Sequence, residues 1–391
     1  MPPETSRKPL RVVFAGGTSG GHLMPGAATA AALREILPDA RCLFLMTGRD
    51  VEQHCAAAVE QFELETVPAT PWAGLRQKAL FGPRCARAAA RIVSVFRSFR
   101  PHVVVGLGSY NSFVPVSLAH GLGLRTALFA ADTVPGRLVR LLAPLADRVF
   151  LQWHAAARRL VTRHPLVTGI PVRRDLCDAD RRTARRRLGL REDVGTLLAL
   201  GGSQGALALN RALDGALRRL EGDLQVVHLT GVDHLPDALA SPLNEAPWYR
   251  PIGFLPRMGD AYAAADFVLS RAGASTLAEL TALGLPSILV PYPHHADRHQ
   301  YVNANLLRRA RAALVLKQAQ MDDRRLLGVI RRLADDADLR ARMGRNARRL
   351  GRPLAARAVA CELAALAGFE ISPQYPSVTT PGVQTEHSQA A

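Results

Sequence analysis

Short apolar runs that end near glycine and pass into a helical pattern recur along the chain, and they constrain its fold more than any other feature. The runs occupy residues 10–15, 42–46, 102–105, 126–129, 149–151, 196–200, 226–229, 266–270 and 287–290. They are too short and too continuously apolar to be half-exposed strands, and they are typical of parallel strands covered by helices on both faces. Alternation of these strands with helices, as at 25–37 and 275–283, predicts an α/β fold of doubly wound parallel sheets.

Two series of such strands divide the 391 residues into two domains. The first series ends at about residue 167 and the second begins at residue 196, so we place the boundary near residue 170. The very basic stretch 173–191 is predicted to be a helix with a solvated face, and the polar tail 371–391 to be disordered. Two such halves should enclose a cleft that the carboxyl ends of the strands face.

Charge and cysteine usage limit the classes of partner. A formal net charge of +17 favours anionic partners such as nucleic acid, anionic lipid or a phosphorylated substrate. Aromatic residues make up only 5% and no nucleic-acid motif is present, so nucleic acid is not expected as a partner. The five cysteines form no CxxC pair, which argues against a zinc module and favours a reducing cytoplasm. We recognise neither a signal peptide nor an apolar run of membrane-spanning length, so membrane contact is expected to be peripheral.

One segment is a candidate for that contact. Residues 72–81 mix large apolar side chains with Arg76 and Lys78, and arginines interleaved with apolar residues follow as far as Arg100. A basic and apolar surface element lies well on anionic lipid. The same pattern also fits a core-packed helix with a solvated basic face, and the residues leave both interpretations open.

Glycine loops connect four of the predicted strands to helices, at residues 16–22, 106–112, 201–206 and 271–276. Glycines let a ligand approach the backbone, and the helix N-terminus beyond offers free N–H groups that suit a phosphate. A single loop of this kind is a weak signal, but two in each half predict a pair of ligands that each carry a diphosphate. Arg271 adds a fixed charge, and Glu279 lies where it could accept hydrogen bonds from ribose hydroxyls. Taken alone, Glu279 would be an exposed helix residue.

The densest polar cluster is 291–305, directly after an apolar strand. Its His294, His295 and His299 could suggest a metal, but no carboxylate pattern completes a familiar site, so sugar or phosphate recognition is favoured. The Asp178-Ala179-Asp180 pattern lies inside the arginine-rich stretch and not after a strand. We therefore predict no metal ligands and no cofactor.

These motifs carry a family likeness. In order, the chain contains GGTSGGHLMPG, GLGSYNS, TGIPVR, LLALGGSQGALALN, RAGASTLAEL and GLPSILVPYPHHADRHQYVNANLL, spanning about residues 11–307. It resembles the MurG family, the glycosyltransferases of peptidoglycan synthesis that transfer N-acetylglucosamine from its UDP derivative to undecaprenyl-diphospho-muramoylpentapeptide. The resemblance implies a GT-B fold and an inverting enzyme held peripherally at the cytoplasmic face of the cell membrane. Residues 1–170 would bind the acceptor and face the membrane, 171–350 would bind UDP-N-acetylglucosamine, and 351–370 would form a helix crossing back to the first domain.

The resemblance also implies roles for individual residues. On the donor side, the diphosphate, sugar, uracil and ribose would be held by Arg173, Ser203, Gln204, Phe254, Leu255, Arg271, Ala274, Ser275, Thr276, Glu279, His299 and Gln300. On the acceptor side, the lipid-linked substrate would be held by Thr18, Ser19, Gly20, Gly21 and, in the second loop, Asn111.

The acceptor hydroxyl must lose a proton, and His22 is the predicted base because an unperturbed histidine titrates at about 6.5. His22 could instead stabilise the loop or the helix start, and Asp132 is the reserve candidate. Where the family commonly has His-Glu-Gln-Asn, this chain has Phe129-Ala130-Ala131-Asp132. That departure on the acceptor side leaves open a transferase with another lipid acceptor or a UDP-sugar epimerase.

Overall fold

Two parallel sheets form the framework of the computed structural model, which describes residues 8–17, 20–48, 59–69, 81–202, 205–220, 223–295 and 297–371. The first sheet contains β1 (Arg11–Ala15), β2 (Arg41–Met46), β3 (Glu63–Thr66), β4 (Val103–Gly106), β5 (Arg125–Ala130), β6 (Arg148–Leu151) and β7 (Pro165–Leu166). The second contains β8 (Gly195–Leu200), β9 (Leu224–Leu229), β10 (Tyr249–Ile252), β11 (Phe267–Ser270), β12 (Ser287–Leu289) and β13 (Ala313–Val315).

Helices alternate with the strands of both sheets. In the first half they are α1 (Gly20–Ile36), α2 (Phe81–Phe99), α3 (Phe113–Gly121), α4 (Arg137–Leu142) and α5 (His154–Ala157). In the second half they are α6 (Arg174–Cys177), α7 (Arg181–Arg187), α8 (Leu207–Leu217), α9 (Leu235–Leu239), α10 (Met258–Ala264), α11 (Ala274–Leu283), α12 (His299–Arg309), α13 (Asp323–Asp335), α14 (Ala337–Leu350) and α15 (Ala355–Leu366). Within the described ranges, no helix is both long enough and apolar enough to cross a bilayer.

The strand order is β3-β2-β1-β4-β5-β6-β7 in the first sheet and β10-β9-β8-β11-β12-β13 in the second. The predicted doubly wound α/β architecture is therefore confirmed. In each sheet the chain starts in the middle, builds outward to one side, and then returns to build the other side. Phe14 of β1 accordingly pairs with Phe44 on one side and Val105 on the other, and its ring stacks on Phe44 with centroids 4.9 Å apart.

Four strands escape the sequence pattern: β3, β7, β10 and β13. They are the outermost strands of the two sheets. An edge strand is covered less completely, so it need not be continuously apolar; β3 reads ELET and alternates between half-buried and exposed residues. Proline is also tolerated at an edge because the ladder there lacks one neighbour, and both β7 and β10 contain one.

The helix α2 settles part of the question left open for the basic segment. Its apolar residues Ile92, Val95 and Phe96 are buried in the core of the first half, whereas Arg87 and Arg97 are exposed. The described part of this segment is thus a core-packed helix with a basic outer face. Residues 72–80, which carry most of the predicted membrane element, lie outside the described residues, as does 372–391 of the predicted tail.

The last helix returns to the first half of the molecule. Helix α15 packs against α1, Glu362 lies 3.5 Å from the guanidinium of Arg148, and the ring of Phe369 meets His102 edge to face. The linker between the halves, at Gly169, packs against the segment that leads into α15. Gly169 has φ +80°, and a Cβ there would clash with the Cβ of Arg352. A glycine is therefore required where the linker and the returning chain meet.

Candidate active site

The four glycine loops meet at one cleft because of the strand order. In each sheet the order reverses beside the central strand, between β1 and β4 in the first and between β8 and β11 in the second. Ligands of open α/β sheets bind at this reversal, beyond the carboxyl ends of the strands. The predicted loops follow β1, β4, β8 and β11, so each sheet contributes the two loops that flank its reversal. The cleft between the halves has a volume of about 580 Å³.

Most of the predicted site residues line this cleft. They are Gly20, Gly21, His22, Asp132, Arg173, Phe254, Leu255, Ala274, Ser275, Thr276, Glu279, His299 and Gln300. Thr18, Ser19, Ser203 and Gln204 lie outside the described residues. Asn111 and Arg271 are described, but they are buried and are not among the residues that line the cleft.

The second loop supports the first. Ser109 Oγ donates a hydrogen bond to the Gly16 carbonyl at 2.5 Å, and Ser112 Oγ donates one to the Ala15 carbonyl at 2.9 Å. Gly16 has φ +99°, and a Cβ at that position would clash with Ser112 Oγ. These hydroxyls belong to one of the loops predicted to bind a diphosphate, and they are bonded to the backbone of the neighbouring loop.

Arg271 likewise braces a loop. Its Nη1 donates to the Val290 carbonyl at 3.1 Å, and its guanidinium lies 5.6 Å from the ring centre of Tyr292. The guanidinium of Arg271, which was predicted to bind the diphosphate, is therefore directed at the loop that follows β12. Arg173, by contrast, is half-buried and lines the cleft, as predicted for a residue of the donor side.

His22 lies in the first turns of α1 and is half-buried at the wall of the cleft. Burial lowers its pKa below 6.5, and the nearby carboxylate of Asp132 opposes that shift. A histidine with a lowered pKa is neutral at physiological pH and carries one unprotonated ring nitrogen, which is the form that a general base requires. The structure thus modifies the expectation of a group titrating at 6.5.

The N-terminus of α11 faces the N-terminal part of α1 across the cleft, and one hydrogen bond joins them. Ser275 Oγ donates to the Gly21 carbonyl at 2.7 Å. That carbonyl is available because of Pro25, which lies inside α1 and has no N–H to offer the residue four positions earlier. The sequence pattern predicted a helix starting at Pro25, but α1 already includes Gly20, five residues earlier. Pro25 therefore lies inside the helix and leaves the Gly21 carbonyl free to accept the bond from the other half.

Glu279 lines the cleft with its carboxylate next to a buried phenol. Tyr262 donates its hydroxyl to Glu279 Oε2 at 2.6 Å. Burial raises the pKa of Glu279, while the hydrogen bond from Tyr262 and the charge of Arg173 lower it. A carboxylate offers about four acceptor positions, so the Tyr262 bond leaves capacity for hydroxyl donors from a ligand.

Gln300 and His299 begin α12 at the same cleft. The side-chain oxygen of Gln300 accepts hydrogen bonds from the backbone N–H groups of Ala272, at 3.2 Å, and Tyr292, at 2.9 Å. Gln300 thereby joins the loops after β11 and β12. His299 Nδ1 lies 2.7 Å from Asp297 Oδ1, and its ring is 4.3 Å from that of His295.

Two residues of the site were missed at the sequence level. Tyr262 lies in no motif and reaches Glu279 from α10, the helix that precedes β11. Asn303 lies within the polar cluster 291–305, and the sequence predicted no role for it. It is fully buried and bonded to both halves of the molecule. Its position three residues after Gln300, on the same face of α12, was the available signal.

The Asp-x-Asp pattern has local structural roles. Asp178 pairs with Arg174 at 3.1 Å, and Asp180 caps α7 by accepting a hydrogen bond from the Thr183 N–H at 2.8 Å. Among the residues that the structure describes, no group of three or more His, Cys, Asp or Glu side chains is arranged to hold a metal ion.

Family models match both halves of the chain. The glycosyltransferase family 28 N-terminal domain matches residues 12–151, and the glycosyltransferase family 28 C-terminal domain matches residues 196–359. Two relatives carry the name UDP-N-acetylglucosamine--N-acetylmuramyl-(pentapeptide) pyrophosphoryl-undecaprenol N-acetylglucosamine transferase. The one from Salinibacter ruber is 38% identical over 93% of this chain and 98% of its own length. The one from Sorangium cellulosum is 40% identical over 92% of this chain and 89% of its own length.

Solved structures agree on the fold. The crystal structure of Acinetobacter baumannii MurG matches with a TM-score of 0.71 at 23% identity, covering 92% of this chain and all of that one. A UDP co-structure of S. aureus MnaA matches with a TM-score of 0.68 at 14% identity, covering 95% of this chain and all of that one. At these identities the likeness concerns the fold alone, and the GT-B arrangement of two doubly wound domains around a cleft is confirmed.

Proposed function

The chain belongs to the family of UDP-N-acetylglucosamine--N-acetylmuramyl-(pentapeptide) pyrophosphoryl-undecaprenol N-acetylglucosamine transferases within glycosyltransferase family 28, and from that premise we propose its reaction. It is a glycosyltransferase that moves N-acetylglucosamine from UDP-N-acetylglucosamine to undecaprenyl-diphospho-muramoylpentapeptide. The observation that carries this proposal is the near full-length match to relatives of that name. The site geometry agrees, because glycine loops from both sheets converge on one cleft.

The donor would lie against the second half of the molecule. Ala274, Ser275 and Thr276 form the first turn of α11, whose free N–H groups and partial positive charge suit the diphosphate. Arg173 would add its charge at the same wall, and Glu279 would accept hydrogen bonds from the ribose hydroxyls. Leu255 would contact uracil, and His299 and Gln300 the sugar hydroxyls. Ser203 and Gln204 remain candidates on the third loop.

Transfer breaks the bond between the anomeric carbon and the diphosphate oxygen, and negative charge builds on UDP as it leaves. Fixed donors aimed at that charge lower the barrier more than they stabilise the ground state. The α11 N-terminus and Arg173 fill this role. The α11 N-terminus is held in place before the reaction, because Ser275 is bonded to Gly21 and the loop before α11 is bonded to Gln300. Arg173 is held by an ion pair with Asp175 at 3.3 Å.

The acceptor hydroxyl forms the new bond to the anomeric carbon and gives up its proton to His22. The lowered pKa of His22 keeps it neutral and ready to accept that proton. Asp132 remains the reserve candidate, and its Oδ1 accepts a hydrogen bond from Asn303 at 2.8 Å. The acceptor would occupy the wall formed by Gly20, Gly21 and His22. Thr18 and Ser19 remain candidates for the same substrate, and Asn111 is buried.

A lipid-linked acceptor requires contact with a bilayer, and we assign the protein to the cytoplasmic face of the cell membrane as a peripheral protein. The exposed arginines of α2, including Arg87 and Arg97, give the first half a basic surface. Each cation near an anionic leaflet contributes about 1 kcal/mol. Binding to vesicles that contain anionic lipid, and its loss at high salt, tests this assignment.

A second candidate is a related transferase with another lipid-linked acceptor. Its support is the Phe129–Asp132 run, in which Phe129, Ala131 and Asp132 line the cleft on the acceptor side. The test is UDP release measured with the muramoylpentapeptide lipid, with undecaprenyl diphosphate alone, and with no acceptor. Release that requires the muramoylpentapeptide lipid supports the first proposal. Release without any acceptor would point to a hydrolase or an epimerase instead.

A further inference from the structure

One buried side chain connects the two walls of the cleft. Asn303 of α12 is fully buried. Its side-chain oxygen accepts a hydrogen bond from the Thr133 N–H at 2.9 Å. Its nitrogen donates to Asp132 Oδ1 at 2.8 Å and to the Ala272 carbonyl at 3.2 Å. Thr133 and Asp132 belong to the first half of the molecule, and Ala272 belongs to the loop that leads into α11.

The partners set the orientation of this amide. Asp132 and the Ala272 carbonyl are acceptors and require the nitrogen, whereas the Thr133 N–H is a donor and requires the oxygen. Both N–H groups and the carbonyl oxygen of Asn303 are therefore used. An aspartate at position 303 would place carboxylate oxygens against two other acceptors, the Asp132 carboxylate and the Ala272 carbonyl. An aliphatic residue would leave three polar groups without this partner, and the Thr133 N–H and the Ala272 carbonyl among them are in buried hydrogen bonds.

The same loop peptide is held from the other side by Gln300, one turn earlier on α12. Gln300 accepts the Ala272 N–H, and Asn303 donates to the Ala272 carbonyl. Helix α12 thus fixes both polar groups of the residue that lies two positions before α11 begins. The bond from Asn303 to Asp132 then makes the placement of the α11 N-terminus depend on the position of the first half.

We propose that Asn303 is a positioning residue that couples closure of the cleft to donor binding. The proposal rests on the proposed function, because the ligand whose binding is coupled is UDP-N-acetylglucosamine. In the closed arrangement Asn303 is bonded to Asp132 and Thr133 and also holds the Ala272 carbonyl ahead of α11. The α11 N-terminus, which is proposed to bind the donor diphosphate, is therefore best placed when the halves are closed. The apparent affinity falls in proportion to the closed fraction, and Asn303 raises that fraction through its bonds to Asp132 and Thr133.

An exchange of the two polar side chains tests the coupling. Asn303→Asp places a second carboxylate against Asp132 and removes the donor to Ala272. Adding Asp132→Asn restores a hydrogen bond of reversed direction, in which the new amide at position 132 donates to the new carboxylate at position 303, while the Thr133 N–H keeps its acceptor. Asn305→Asp is the matched control, because it makes the same chemical change on the same helix at a side chain bonded to Arg308.

Two measurements are made on wild type, the two single variants, the exchanged pair and the control. Calorimetry measures UDP-N-acetylglucosamine affinity, and small-angle scattering measures the radius of gyration without ligand. We expect Asn303→Asp to weaken UDP-N-acetylglucosamine affinity by at least about tenfold, since contacting residues in one hydrogen-bond network are energetically coupled. We also expect it to enlarge the radius of gyration, because the bond between the halves is lost. The exchanged pair should recover most of both losses, although its second change lies in the half opposite the donor site. Asn305→Asp should match wild type.

The outcomes separate the coupling from the proposed function. If Asn303→Asp leaves affinity and radius unchanged, or if the exchanged pair is no better than Asn303→Asp alone, the coupling is overturned. Should Asn303→Asp fail to fold, the exchanged pair must still be folded and bind donor for the coupling to stand. If wild type binds no UDP-N-acetylglucosamine while the radii follow the expected order, the proposed function fails and the link between the halves stands.

Discussion

Replacing Glu279 tests the donor site most sharply, because the structure shows how its carboxylate is held. Tyr262 occupies one position on Oε2 at 2.6 Å, and Glu279 lines the cleft. We expect Glu279→Ala to remove a charged hydrogen bond to a ribose hydroxyl. Such a bond is worth about 1.5–3 kcal/mol, so UDP affinity should fall by about 10- to 150-fold. Tyr262→Phe leaves the ligand-facing oxygens in place and should cost less.

The pKa of Glu279 adds a pH dependence with a definite sign. The raised pKa means that the folded protein holds this proton more tightly than the unfolded chain does. The stabilising contribution of the protonated Glu279 to the free energy of unfolding is fully present below pH 4.5, the pKa in the unfolded chain. It is lost as the pH rises through the raised pKa of the folded protein. Glu279→Gln should therefore stabilise the protein at neutral pH. UDP affinity of wild type should decline on acidification at a higher pH than an ordinary glutamate would produce.

The assay is calorimetric titration of wild type and Glu279→Ala with UDP and with 2′-deoxy-UDP. Wild type should prefer UDP, and the variant should bind the two nucleotides almost equally. If the variant still prefers UDP as strongly as wild type does, Glu279 is not the ribose ligand and the reasoning is refuted.

Three further results are expected. His22→Ala should lower turnover by about 10²–10⁴-fold with donor affinity nearly unchanged. The acidic limb of the wild-type pH–rate profile should lie below pH 6.5 and should be missing in the residual activity of the variant. An unchanged profile in the variant would assign the base to another residue. Gly16→Ala should lower the free energy of unfolding by at least about 1–2 kcal/mol because of its positive φ, whereas Gly328→Ala, with open space around it, should be neutral or stabilising in chemical denaturation. UDP-N-acetylglucosamine should bind equally well in excess chelator, since the α11 N-terminus and Arg173 supply the positive potential; loss of binding under chelation would contradict this.

The interior of both sheets could be predicted from sequence because central parallel strands are buried on both faces and must be continuously apolar. The edge strands could not, because partial exposure relaxes that requirement, as the alternating β3 shows. The sequence also predicted too late a start for α1, at Pro25, for a different reason. Pro25 is a common first helical residue, and only the structure shows that its missing N–H frees Gly21 for Ser275.

The site was predictable where the backbone itself binds, since glycine loops after strands mark the reversal points of a doubly wound sheet. It was less predictable where a side chain acts on another side chain. Arg271 was predicted to face the diphosphate, yet its guanidinium is directed at the Val290 carbonyl. Tyr262 and Asn303 act through contacts with residues that lie 17 and 170 positions away in the sequence. The spacing of Asn303 from Gln300 indicates a shared helix face, but no local pattern identifies partners at such separations.

The most direct test of the central claim is identification of the product. Purified protein is incubated with UDP-N-acetylglucosamine and undecaprenyl-diphospho-muramoylpentapeptide, and the lipid fraction is analysed by mass spectrometry and by NMR of the new linkage. We expect the acceptor to gain one N-acetylglucosamine residue, with inversion at the anomeric carbon and release of one UDP for each residue transferred. An unmodified acceptor accompanied by free N-acetylglucosamine, or by an epimerised sugar, would contradict the proposed function.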